Sequence, residues 1–114
     1  MSSDRMRRVN EAVREVLSDA IKLLKDPRVG FVTVTDVRTS PDLRHAKVFV
    51  SVLGTEAERA DTMAGLASAH GVLQTAVNRE LRMKRTPTLD FVYDDTAERA
   101  DRMERMLAEI EADR

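Results

Sequence analysis

The sequence predicts an α+β domain in the order α-β-β-α-α-β-α, with a three-stranded sheet covered by helices on one face. Three observations carry this expectation. Apolar residues recur at helical spacing over residues 5–25 and in two further runs between 55 and 85. Two Val-rich stretches, 31–38 and 47–53, alternate with period two across a short turn. A third alternating stretch, 88–93, follows Pro87, which forbids extension of the helix before it.

The first helix is expected over residues 5–25, with Asp4 able to cap it. Met6, Val9, Val13, Val16, Leu17, Ala20 and Leu24 form its stripe. Asp26-Pro27 ends it, because the residue before proline avoids the α region. Arg5, Arg7, Arg8 and Arg14 crowd its first half. Cations there oppose the helix dipole, so stability alone does not account for them.

In the first strand Val32 and Val34 share a face, with Thr33 and Thr35 on the other. Thr39-Ser40-Pro41-Asp42 is turn chemistry, which makes the two strands an antiparallel hairpin. In the second strand Val48, Val50 and Val52 oppose Lys47, Phe49, Ser51 and Leu53. Gly54 ends it, and Thr55 with Glu58 has the spacing of a capping box.

The next helix is expected to bury Ala60, Met63, Ala64 and Ala67. A break follows at Ser68-Ala69-His70-Gly71, where Gly71 is expected to supply a geometry that a Cβ would strain. Leu73, Ala76, Val77 and Leu81 form the third stripe. That helix is expected to close on Arg79, Arg82, Lys84 and Arg85, which suit both the dipole and a polyanion. The third strand sets Leu89, Phe91 and Tyr93 on one side, and Asp90 and Asp94 place it at the sheet margin. Asp94-Asp95-Thr96 is expected to cap a last helix with a thin stripe of Met103, Leu107 and Ile110. Acidic residues near its end oppose the dipole, so 109–114 are expected to be mobile, as are 1–4.

At 114 residues the chain is one domain. It has no cysteine, which removes disulfides and thiolate metal sites. No apolar run reaches the length of a membrane span, and the first residues are polar, so a soluble cytoplasmic protein is expected. Net charge is -1 but unevenly spread. Residues 1–50 carry 10 Lys/Arg and 7 Asp/Glu, whereas 94–114 carry 4 arginines and 8 acids. Such a field attracts phosphate on one side only.

No catalytic constellation is present. His45 and His70 share no metal spacing, and there is no phosphate-cradling glycine loop or nucleophile elbow. No enzyme activity, cofactor or metal is expected. The six methionines fall mostly on helix stripes and read as core filler.

The element order, with a glycine-marked break between the middle helices, resembles a type II KH domain. Such domains clamp a nucleic-acid backbone with a GxxG loop. This chain has Ala69-His70-Gly71 instead, and in that it resembles the ribosome-binding factor A family, a KH-like family whose clamp is replaced by Ala-x-Gly. Asp26-Pro27-Arg28, Ser40-Pro41-Asp42-Leu43 with Ala46 and Val48, and Arg85-x-Pro87-x-Leu89-x-Phe91-x-Tyr93-Asp94 strengthen the likeness. It spans about residues 5–107.

The resemblance implies a non-enzymatic assembly factor that binds 16S ribosomal RNA on free small (30S) ribosomal subunits or their precursors. It implies a role in late maturation and rRNA processing, in growth in the cold, and departure before translation. The protein is expected to be a monomer with no small-molecule substrate. Few aromatics are available for base stacking, so a basic surface reading RNA shape is expected. The residues expected to carry it are Arg7, Arg8, Lys47, Ala69, His70, Gly71, Arg79, Arg82, Lys84 and Arg85. The competing reading is a protein-interaction module pairing through the open sheet face, with Phe49 and Leu53 as its patch. A ferredoxin-like regulatory domain fits less well, because its strand order lacks the long first helix and the adjacent middle helices.

Overall fold

The computed structural model describes residues 4–113. The expected mobile start therefore falls, apart from Asp4, outside the described residues. The elements run α1 Asp4–Lys22, β1 Phe31–Thr39, β2 His45–Leu53, α2 Glu56–Ser68, α3 His70–Leu81, β3 Thr88–Tyr93 and α4 Thr96–Ala112. This is the expected α-β-β-α-α-β-α order. Asp4 stands inside the first turn of α1 rather than ahead of it, where its carboxylate still suits the dipole.

The sheet order is β1-β2-β3. The hairpin partner strands are antiparallel, from Phe31↔Leu53 to Thr39↔Ala46. β3 lies on the other side of β2 and parallel to it, with His45 opposite Thr88 and Val50 opposite Tyr93. One face is covered. α1 lies along β1 and beside α3, while α2 touches β2, β3 and α3. Val13 and Leu17 of α1, Val48 and Val50 of β2, and Leu73 and Val77 of α3 are wholly buried between the layers. Each such leucine contributes about 2–3 kcal/mol through its burial.

β1 departs from simple alternation. Val34 pairs with Val50 but Asp36 pairs with Phe49, so Thr35 is an extra residue in the ladder. The bulge resets the pleat. Without it, Val34 and Val37 would face opposite sides; with it, both are buried, as is Thr39. Asn10 of α1 accepts from the Thr39 backbone N–H at 3.0 Å and from its hydroxyl, fixing the strand end to the helix.

α2 does not bury the expected stripe. Ala60, Ala64 and Ala67 are exposed and Met63 is half-buried against the core, whereas Thr62, Gly65 and Leu66 are buried. The face is set by the loop after α1. Thr62 Oγ1 accepts from the Gly30 N–H and donates to the Arg28 carbonyl, both at 3.2 Å. A Cβ on Gly65 would lie 2.6 Å from Val29 Cγ2, so the loop approaches the helix as closely as only glycine permits.

The helix break is tighter than expected and sits at Ala69 alone, with φ -87° and ψ 6°. Its N–H bonds back to Gly65 and Leu66, and its carbonyl accepts from Leu73 N. Gly71 is an ordinary residue of α3, and a Cβ added there would meet nothing within 4 Å. The strain expected at Gly71 does not exist. α3 also ends earlier than expected, at Leu81. Arg79 is in its last turn, but Lys84 and Arg85 stand in the following loop, beyond the reach of the dipole.

α4 leaves the layer. It has no buried residue and packs along no other element. The radius of gyration, 16.8 Å, exceeds the roughly 13 Å of a compact chain of about this length for that reason. Its base is held firmly. Tyr93 donates to Glu98, Arg59 donates to the Tyr93 hydroxyl at 3.0 Å, and the Arg59 guanidinium lies 5.2 Å above the Tyr93 ring. The cap is made by Asp94 rather than Asp95: its Oδ1 accepts from the Thr96 N–H and hydroxyl, and its Oδ2 accepts from the Thr35 hydroxyl at 2.7 Å.

The two glycines should respond oppositely to a methyl group. Gly65→Ala should lower stability by about 1–3 kcal/mol through overpacking, while Gly71→Ala should leave it unchanged or raise it by up to about 1 kcal/mol. Urea unfolding of both variants checks this, and equal effects would contradict it. The Thr96 and Thr35 hydroxyls lower the Asp94 pKa from 3.8 to about 2. A depressed carboxylate adds stability above its unfolded pKa and loses it as pH falls through the folded one. The melting-temperature advantage of the native chain over Asp94→Asn should therefore be full at pH 6 and shrink between pH 4 and pH 2.

Candidate nucleic-acid interface

The N-terminal half of α1, the turn between β1 and β2, and the loop from α3 to β3 meet at one end of the sheet. Between them lies a recess. Val9, Ala12, Leu81 and Met83 form its apolar floor, and Arg5 and Arg8 border it from α1. It continues into a cleft of about 530 Å³ lined by Arg5, Asp42, Leu43, Met83, Lys84 and Arg85. Arg5, Arg8, Lys84 and Arg85 are exposed, and no ion pair holds them among the described residues. Four free cations around a concave surface concentrate positive potential.

The carboxylate on the rim is already engaged. Asp42 accepts from the Ser40 hydroxyl at 2.6 Å and from Arg44 N at 3.1 Å. The Ser40 hydroxyl, then the Arg44 N–H, hold its pKa below the usual carboxylate value, so it stays ionised as part of the turn.

Arg82 governs the approach of the loop. It caps α3 in the left-handed region, φ 46° and ψ 34°. For a residue with a Cβ this costs about 1–2 kcal/mol, and glycine is the usual occupant. The reversal returns Met83 to the recess floor and carries Lys84 and Arg85 to its rim.

The other expected residues lie elsewhere. Arg7 is exposed but pairs with Asp4 at 3.3 Å, so Arg5 replaces it as the partner of Arg8 in the recess. Lys47 is on the open sheet face, opposite Arg38 in β1 and Asp90 in β3. Arg79 and Gly71 share an apolar groove of about 720 Å³ between α1 and α3, with Leu23 and Val72 on its walls. Ala69 and His70 are half-buried under the break. His70 Nε2 lies 2.8 Å from the Leu89 carbonyl, and since a carbonyl only accepts, Nε2 carries the proton. With Gln74, which accepts from Leu89 N at 3.0 Å and donates to the Pro87 carbonyl at 2.9 Å, it satisfies the outer edge of β3. On the open face Phe49 lies under the Arg38 guanidinium at 5.2 Å, and the exposed apolar pair there is Phe31 with Leu53. Arg5, not among the residues expected from sequence, lines the recess because the tertiary fold brings the start of the chain to residues 84–85. Its one local signal was a place on the same helix flank as Arg8.

A three-stranded mixed sheet, one helical layer, a broken helix pair in the crossover and a basic end define a KH-like α+β domain of type II. The family profile of ribosome-binding factor A matches residues 5–107. The ribosome-binding factor A of Halothermothrix orenii is 44% identical over 111 residues, 96% of this chain and 91% of that protein. That of Anaeromyxobacter sp. (strain K) is 52% identical over 108 residues, 93% of this chain and 78% of its own. Among solved structures, ribosome-binding factor A from Thermus thermophilus superposes with a TM-score of 0.70 at 30% identity, over 77% of this chain and 93% of that one. A homology model of Thermus thermophilus ribosome-binding factor A, fitted into a cryo-EM map of a 30S complex, gives 0.63 at 29% identity, over 82% of this chain and 96% of that one. The chain belongs to the ribosome-binding factor A family.

The strain at Arg82 is measurable. Arg82→Gly should raise unfolding stability by about 0.5–1 kcal/mol. A loss of stability in urea titration would show that the left-handed cap costs the arginine nothing.

Proposed function

We propose that this chain binds 16S rRNA on the small ribosomal subunit through the basic recess and assists late maturation and processing of that RNA. The observation that carries this reading is the convergence of Arg5, Arg8, Lys84 and Arg85 from two distant stretches onto one concave surface. Family membership supports it, as does the relative fitted into a 30S complex. Arginine and lysine around an apolar floor suit a folded phosphate backbone better than stacked bases. Arg82, exposed beside Lys84, adds to the positive surface, whereas Lys47 on the open sheet face is not part of it.

The action is thermodynamic rather than covalent. A protein that binds one RNA conformation better than its alternatives shifts the population toward it by that difference in affinity. Misfolded RNA rearranges slowly in the cold, so such a shift matters most there. The protein works in the cytoplasm as a monomer, without a cofactor, on free subunits or their precursors.

The double variant Arg8→Ala/Arg85→Ala tests this. Its affinity for small subunits should fall, and the slope of log K against log salt should drop by roughly 0.7–0.9 for each phosphate no longer neutralised. Stability should change by no more than about 0.5 kcal/mol per exposed site. The native chain should co-sediment with free small subunits and not with large ones. An unchanged salt slope, or equal association with both subunits, would count against the reading.

A further inference from the structure

We propose that α4 is a docking helix for a lysine- and arginine-rich amphipathic segment of a protein on the small subunit. The proposal rests on the subunit-binding reading above and assigns the opposite end of the molecule. The basic recess lies where β3 begins; α4 departs where β3 ends.

α4 has 17 residues, about 25 Å of helix. Met103, Met106, Leu107 and Ile110 are 54–57% exposed and no element covers them. Their i, i+3, i+4, i+7 spacing puts them on one face. A solitary helix of this length is marginal in water, and in proteins such a face is normally stabilised by what packs on it. Two methionines among the four make a face that adapts to its partner.

The charge around this face selects the partner. At 100° per residue, Glu104 and Glu111 border the stripe on one side, and Glu109 and Asp113 on the other, where Arg102 also lies. Arg99 and Arg105 are already paired with Asp95 and Asp101 at 3.0 and 3.2 Å. Glu104, Glu109, Glu111 and Asp113 have no ion pair among the described residues, and the last turn contains no cation. The negative end of the helix dipole adds to these carboxylates. RNA phosphates are repelled from such a surface. A cationic segment with apolar anchors neutralises the rim, caps the dipole and covers the stripe, which is helix-in-groove recognition.

The test uses the full chain with a photo-activated diazirine residue in place of Met106, bound to purified small subunits. Crosslinks should form to a ribosomal protein, within a lysine- and arginine-rich segment. Crosslinks to rRNA, to a second copy of the chain, or to nothing while the chain co-sediments would overturn the proposal. Failure to co-sediment at all would instead remove the subunit-binding reading, and this proposal with it. In parallel, Leu107→Gln/Ile110→Gln, which removes the apolar anchors with a good helix former and no new charge, should keep its helical circular dichroism and its affinity for naked 16S rRNA, yet lose about tenfold or more in affinity for the subunit. Equal subunit affinity of this variant would likewise overturn it.

Discussion

The parallel pairing of β2 with β3 is the constraint on which the rest of the structure depends. Two parallel neighbours cannot be joined by a tight turn, so the chain must travel back along the sheet before pairing again. Here it returns through α2 and α3, which form the crossover between Leu53 and Thr88. The return brings α3 beside α1 and closes the core. It also delivers the loop after Leu81 to the end of the sheet where α1 begins. The basic recess is thus a product of strand direction: an antiparallel β3 would be entered from the opposite end and would leave Lys84 and Arg85 far from Arg5 and Arg8.

Local chemistry made much of this architecture legible in advance. The alternating valines of the hairpin, the capping box at Thr55 and Glu58, and Pro87 before β3 each stand where the sequence places them, because each acts through its own backbone. The errors came where neighbours distant in sequence decide. Alanine is nearly silent about which face of a helix is buried, so the stripe expected in α2 gave way to Thr62, Gly65 and Leu66, chosen by the loop at residues 26–30. The bulge at Thr35 has no strong local signature, yet it determines that Val37 faces inward. Gly71 showed the reverse: a glycine at a break reads as strained backbone, but the turn is made by Ala69 and its bonds to Gly65 and Leu66.

The cations followed the same division. That residues 79, 82, 84 and 85 would lie off the core was evident from the apolar stripe of α3, and none of the four is buried. Which of them share a surface was not, since Arg79 faces the α1–α3 groove while Lys84 and Arg85 turn away through the left-handed Arg82. His70 reads as an available donor in a loop; the fold commits its Nε2 to the edge of β3. A polar side chain beside a strand edge is drawn to unpaired backbone groups before any external ligand, because leaving them unsatisfied is costly.

The attachment of α4 makes it a lever. Its base is tied to two distant parts of the domain, to α2 through Arg59 and Tyr93, and to the bulge of β1 through the Asp94–Thr35 bond that spans the central strand. No other element packs along its length to restrain it. From Thr96 to Ile110 the arm is about 21 Å, so a tilt of about 10° at the base displaces Ile110 by roughly 4 Å, most of a helical turn. Any small rotation of that base therefore reaches the tip as a displacement proportional to the length of the arm.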